Sequence, residues 1–276
     1  MRRACFMAQS LVTEKLTLSY GTTTIIDELS VAIPMNKITV LIGANGCGKS
    51  TLLRSVARLL KPKNGAVLLD GEDVFHLSTK EVAKKLSILP QSPVAPEGLT
   101  VLQLVKQGRY PHQTWRKQWT EQDEKIVMDA LKSTGMYDLQ HKIVDELSGG
   151  QRQRAWIAMT LAQDTDIILL DEPTTYLDLT HQIDVLDLLF DLNRTQQRTI
   201  IMVLHDINLA CRYADHIITV KDRTIFEQGK PEDIMTAKLV ENVFDLKCQM
   251  MMDPLFGTPM CLPFGKGRVI QQLNKV

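Results

Sequence analysis

One stretch restricts this chain more than any other. Gly43-Ala44-Asn45-Gly46-Cys47-Gly48-Lys49-Ser50, followed by Thr51, fits G-x-x-x-x-G-K-[ST] at every required position. The pattern works only between a strand and a helix. Ile38-Thr39-Val40-Leu41-Ile42 precedes it, short, apolar and β-branched. Leu52-Leu53-Arg54-Ser55-Val56-Ala57 follows, apolar at helical spacing. Glycines at 43, 46 and 48 free the backbone for positive φ, so successive N–H groups can point at one anion. The helix beginning near Gly48 or Lys49 adds its positive dipole end. Lys49 brings a point charge to the outer phosphates, and the Ser50 hydroxyl suits Mg²⁺. The stretch therefore predicts nucleoside triphosphate binding within an α/β sheet.

Composition leaves room for this. A chain of 276 residues can bury a large α/β core. Lys plus Arg and Asp plus Glu both total 32, so no global basic excess argues for nucleic acid. Cys5, Cys47, Cys211, Cys248 and Cys261 are dispersed without C-x-x-C spacing, which argues against a disulfide framework or a zinc site and favours a reducing compartment. No apolar run approaches the roughly 18 residues of a membrane span. The first residues lack the apolar stretch of a signal peptide, and Met7 is a possible second start.

Along the chain, apolar strands alternate with helices. Val12–Leu18 and Ile25–Ile33 read as strands, and Asn64-Gly65 as a tight turn before the strand Ala66–Asp70. Ser78 with Glu81 is a capping box for a helix to Lys85. Leu86–Gln91 is a strand. From Ser92 to Gln140 regular β signals are absent; Trp115, Trp119 and a helix Glu121–Thr134 mark a helical insertion. A helix follows from Ser148 to Leu161. Asp166–Glu172 is an apolar strand ending in two carboxylates. Leu179–Leu192 is helical, Thr199–His205 a buried strand, Ile207–Tyr213 a helix and His216–Val220 a strand. A helical segment starts at Pro231, and the remainder reads as irregular. The alternation implies a parallel sheet covered on both faces.

Further residues carry chemistry. Asp171 suits Mg²⁺, directly or through water, and Glu172 suits polarising an attacking water. Ser148-Gly149-Gly150-Gln151 places a hydroxyl and free N–H groups at a helix start, a second anion site. His205 is placed to meet a γ-phosphate or position water. The Gln91 amide oxygen can complete Mg²⁺ coordination, and Tyr20 can stack on adenine. Each also has a structural reading, as a strand-end acid, a helix cap, a lone histidine or a core aromatic.

In this order, Tyr20, Gly43–Thr51, Gln91, Leu147–Gln151, Ile167–Glu172, Leu177-Asp178 and His205 resemble the ATP-binding subunit of ABC transporters, from about Val12 to Pro263. That resemblance implies an α/β P-loop NTPase fold. It has a RecA-like parallel sheet core, an N-terminal antiparallel β subdomain and a helical insertion subdomain. The cassette would span 11–240, with the insertion at about 92–160 and a tail at 241–276. It implies ATP and Mg²⁺ as cofactors. Lys49 and the loop amides would hold phosphates, Ser50 and Gln91 would ligate Mg²⁺, Asp171 would support the metal and Glu172 would act as base. His205 would contact the γ-phosphate. Ser148 and Gly150 would grip nucleotide held by a second copy, and Asp178 would communicate across that interface.

Gly108-Arg109-Tyr110-Pro111-His112, Trp119, Asp123, the run Asp171–Asp178 and Asp253–Pro259 are similar to importers of iron–siderophores, haem and cobalamin. The resemblance thus implies a homodimeric ATPase on the cytoplasmic membrane face. It would power iron–siderophore import through a separate permease, served by a periplasmic or surface binding protein, with no nucleic acid partner. A haem or cobalamin importer is the alternative. A soluble ABC protein on ribosomes or DNA usually carries two cassettes or a long coiled-coil insertion, and neither is present. A P-loop kinase or GTPase switch leaves Leu147–Gln151 unexplained.

Overall fold

The computed structural model describes residues 10–114 and 119–267. Cys5, Met7 and Trp115 lie outside them. Strands β1 (Leu11–Tyr20) and β2 (Thr23–Ile33) pair antiparallel from Leu11↔Ile33 to Tyr20↔Thr23. The fully buried β3 (Ile38–Ile42) feeds the glycine loop, and α1 (Lys49–Val56) follows. β4 (Asn64–Leu69) and the short β5 (Glu72–Asp73) complete a four-stranded sheet in the order β2-β1-β4-β5. α2 (Thr79–Lys85) starts on the expected capping box: Ser78 Oγ accepts from Glu81 N at 3.2 Å and Glu81 accepts from Ser78 N at 2.8 Å.

After β6 (Leu86–Leu89) come the helices α3 (Val101–Gln107), α4 (Glu121–Ser133) and α5 (Gly149–Ala162). The chain then alternates through β7 (Ile167–Leu170), α6 (Leu179–Gln196), β8 (Thr199–Val203), α7 (Ile207–Tyr213) and β9 (His216–Lys221). β10 (Thr224–Gly229), α8 (Pro231–Ile234), α9 (Ala237–Phe244), β11 (Cys248–Met252) and β12 (Pro259–Pro263) close it.

The central sheet has the order β10-β9-β3-β8-β7-β6, parallel throughout except for β10 at one edge. Its strands are apolar without alternation because both faces are covered. Ile38, Val40, Ile200 and Met202 pack into a core with Trp156, Leu186, Leu209 and Val240 from the helices on one side. Leu41, Ile201 and Val203 face the other way, into a core with Leu52 and Leu53 of α1 and with Leu16, Ile26 and Val67 of the antiparallel sheet. Among the described residues, no helix is long and apolar enough to cross a membrane.

Two expectations are corrected. Asn64-Gly65 is no turn; it begins β4, opposite an irregularity of β1 between Glu14 and Thr17. Gly65 has φ +78°, and a Cβ there would sit 2.3 Å from both the Glu14 and Lys15 carbonyl oxygens. The glycine answers a close approach of backbone, a signal that in sequence looks the same as a turn. Gly65→Asn, tolerated in a free turn, should therefore cost about 3 kcal/mol in a urea unfolding titration. A variant of wild-type stability would remove that packing role.

The tail is also more ordered than expected. Residues 248–252 and 259–263 form a hairpin, and Asn208 of α7 bonds both the N–H and the C=O of Cys261, at 2.7 and 3.2 Å. Asp253 accepts from Leu255 N at 2.9 Å and from Arg212 Nε at 2.7 Å, closing the loop of the hairpin. Three consecutive methionines and a proline-bounded loop hide this hairpin, since its support comes from α7, distant in sequence. The edge strand β10 carries no clear sequence signal either, because its mostly exposed residues show no alternation.

In the insertion, Arg109 is a structural staple. Its Nε donates to Asp123 Oδ1 and its Nη1 to the Ala162 carbonyl, both at 2.9 Å, with both charged side chains buried. His112 Nε2 lies 2.8 Å from the Gln163 carbonyl oxygen. The Gly108–His112 segment thereby fastens the end of α5 to the start of α4. Burial raises the Asp123 carboxyl, but hydrogen bonds from Thr120 and Arg109 outweigh it and hold it below its ordinary 3.8. The unfolded chain binds more protons there, so this stabilisation is complete above 3.8 and lost as pH falls through the lower native value. Arg109→Met leaves the carboxylate unpaired and should cost about 3 kcal/mol at neutral pH, by urea unfolding. The deficit should narrow in acid; a deficit independent of pH would show that the packing of the Arg109 stem, not its charge, matters.

Candidate nucleotide site

The sheet order sets the site. The strands β3, β8, β7 and β6 are neighbours, so their C-terminal ends deliver in a row the glycine loop, His205, the Asp171-Glu172 pair and Gln91. Ligands bind at such an edge of open α/β sheets. A cleft of ≈ 890 Å³ opens there, lined by Gly43, Ala44, Asn45, Gly46, Gly48, Lys49, Ser50, Thr51, Gln91, Glu172 and His205. That volume accommodates a nucleotide.

The loop is built as its glycines require. Gly43, Gly46 and Gly48 have φ of +153°, +77° and +108°. A Cβ on Gly43 would fall 2.3 Å from the Val220 carbonyl oxygen, so side chains are excluded by the sheet itself. Lys49 is buried, and its Nζ donates to the Gly43 and Ala44 carbonyls at 2.9 and 3.0 Å. Cys47 Sγ lies 3.8 Å from that Nζ but does not line the cleft.

The acids differ in environment. Asp171 is buried, and burial raises its carboxyl above the ordinary value, more than the hydrogen bond from Ser50 lowers it. Ser50 Oγ donates to Asp171 Oδ1 at 2.7 Å. Glu172 adopts a left-handed φ of +55°, an uncommon state for a side-chain-bearing residue, which turns it off the strand and into the cleft. Its carboxylate meets His205 Nε2 at 2.7 Å and accepts from Gln91 Nε2 at 2.5 Å and Thr175 Oγ1 at 2.9 Å. Burial raises the Glu172 carboxyl, but those partners, His205 foremost, outweigh it and hold the group below 4.5. Glu172 is thus an ionised acceptor at neutral pH.

The residues fit Mg²⁺ in one respect: Ser50 and Asp171 bring two hard oxygens together beside the loop. Among the described residues, no cluster of three or more His, Cys, Asp or Glu side chains could hold a metal. That donor set suits an ion that takes its remaining ligands from phosphates and water.

Other expected residues stand apart. Tyr20 ends β1, half exposed, outside the cleft lining; Ile25 and Phe244 line it instead. Ser148, Gly149, Gly150 and Gln151 form the first turn of α5, also outside the lining. Ser148 Oγ accepts from Gln151 N at 3.3 Å, and the Gln151 side chain accepts from Ser148 N at 3.2 Å, a capping box within the chain. The serine hydroxyl proton is left for another acceptor. Asp178 caps α6, accepting from His181 N at 2.9 Å. Thr175, Tyr176, Ile25 and Phe244 were not assigned from sequence. Thr175 had a weak signal, three residues beyond Glu172, but the bond depends on the left-handed turn between them.

A parallel sheet carrying a phosphate loop, a buried aspartate and a hydrogen-bonded glutamate defines a P-loop nucleoside triphosphatase. The ABC transporter family model matches residues 26–175, and the chain belongs to that family. Its members bind ATP and hydrolyse it to drive transport. The petrobactin import ATP-binding protein FpuD of Bacillus anthracis is 65% identical over 96% of this chain and 97% of its own length. The siderophore transport ATP-binding protein YusV of Bacillus subtilis (strain 168), itself named as probable, is 64% identical over 95% and 96%. Among solved structures, a chain of an inward-facing ABC transporter superposes with TM-score 0.80 at 28% identity, covering 94% of this chain and 98% of that one. The dimeric ABC cassette MJ0796 gives 0.71 at 28%, covering 80% and 98%.

Proposed function

We propose that this chain is the ATP-hydrolysing subunit that powers import of iron–siderophore complexes through a separate permease at the cytoplasmic face of the membrane. The observation that carries it is near-full-length identity above 60% to subunits named for petrobactin and siderophore transport. In this reading the cassette occupies 11–240, with its insertion at about 92–160. Lys49 and the amides of residues 43–51 hold the triphosphate. Ser50, Asp171 and the Gln91 oxygen hold Mg²⁺, which supplies charge neutralisation at the phosphates. Glu172 accepts a proton from the attacking water, and His205 keeps that carboxylate oriented beside the γ-phosphate.

Two copies pair head to tail. Ser148 to Gln151 and Asp178 of one close on nucleotide held by the other, which accounts for their place outside the cleft lining of their own chain. A dimeric cassette among the structural neighbours supports this pairing. A binding protein outside the membrane would deliver cargo to the permease.

Co-expression with a candidate siderophore permease tests the reading. The chain should be retained in the membrane fraction only with the permease, and radioiron–siderophore uptake should depend on Lys49. Uptake unchanged by loss of the chain would refute the cargo assignment.

A further inference from the structure

Gly150 and His181 compete for one space. A Cβ on Gly150 would lie 2.3 Å from His181 Cδ2, 2.7 Å from Cγ and 3.1 Å from Nε2. Gly150 is buried at the first turn of α5, with no left-handed φ to explain the glycine. The space a side chain at 150 would take is filled by the imidazole of the same chain, lying against the helix backbone.

The ring is held from its other side. Asp178 Oδ1 meets His181 Nδ1 at 2.6 Å and also accepts from His181 N at 2.9 Å. A carboxylate only accepts, so Nδ1 carries the proton. One turn further along the same helices, Arg154 Nη2 donates to Asp184 Oδ2 at 2.6 Å. Gly150 and Arg154 of α5 therefore face His181 and Asp184 of α6, and the imidazole sets how closely the helix starts approach.

We propose that His181 is a positioning residue that locks the Asp178 turn to the first turn of α5, making one rigid pad of the two segments offered to a second chain. The inference rests on the head-to-tail reading above. There, Ser148 and Asp178 act on the same partner-held nucleotide, so their mutual spacing must be constant. Misplacement by about 1 Å can cost as much as ~100-fold in rate. The pad is separate from the Lys49 loop, so it should affect turnover and not nucleotide capture by one chain.

A double-mutant cycle tests this through kcat and KM for ATP, with fluorescent ATP-analogue binding to the dilute chain as the second readout. His181→Ala should lower kcat about tenfold and leave analogue binding unchanged. His181→Asn keeps a donor where Nδ1 stood and should remain within about threefold of wild type. Gly150→Ala should cost about tenfold by displacing the ring. With Gly150→Ala and His181→Ala combined, the methyl occupies the vacated space, and the loss should stay near tenfold instead of the ~100-fold product. A loss equal to the product, or an Asn variant as poor as Ala, overturns the proposal. Coupling that persists while mixed chains fail to complement would sink the head-to-tail reading and leave the lock in place.

Discussion

Glu172→Gln should retain ATP and turn it over at least ~100-fold more slowly than wild type. The physical basis is the environment of the carboxylate. Three donors surround it, from His205, Thr175 and Gln91, and hold it ionised. An amide has the same shape. Its oxygen can still accept from Thr175 and Gln91, and its NH₂ can donate to a neutral His205. Folding should be little affected, while the proposed proton acceptor is gone. Because closure would no longer be followed by hydrolysis, ATP should accumulate a dimer measurable by light scattering. Turnover near the wild-type rate would remove Glu172 from the role of base and shift attention to His205.

Lys49→Ala and Ser148→Arg chains, each inactive alone, should regain activity when mixed. A head-to-tail pair of unlike mutants has one site with both defects and one with neither. Random pairing at equal concentrations makes about half the dimers mixed, so roughly a quarter of wild-type sites return. The placement of the two segments favours this outcome. Lys49 lines the cleft, whereas the first turn of α5 does not. The Ser148 hydroxyl, engaged only as an acceptor in its own capping box, still has a proton to donate. If mixing restores nothing, each chain works alone, and the first turn of α5 is no more than a capped helix start.

Much of the site is legible in sequence because its physics is local. A glycine loop between an apolar strand and a helix is a phosphate cradle wherever it occurs, and its neighbours in the chain supply Lys49 and Ser50. Asp171 and Glu172 are readable as acids at a strand end for the same reason. The capping box at Ser78 needs only residues three apart. Local reasoning failed where one sequence signal serves two geometries. Asn64-Gly65 has the composition of a turn, but carbonyls of β1 decide its surroundings. Ile25 and Phe244 carry no local signal at all; the fold alone brings them to the cleft lining.

That this chain binds a nucleoside triphosphate on a parallel sheet follows from short stretches alone, because glycine conformational freedom and apolar strand composition act over a few residues. The rest arises only in the folded chain. Placing β8 between β3 and β7 brings His205 to Glu172 across 33 positions of sequence. A left-handed turn hands the Glu172 carboxylate to Thr175. The packing of α6 on α5 sets the His181 ring in the space beside Gly150. These depend on strand order and helix approach, which are set by burial summed over the whole core and leave no mark in any short stretch.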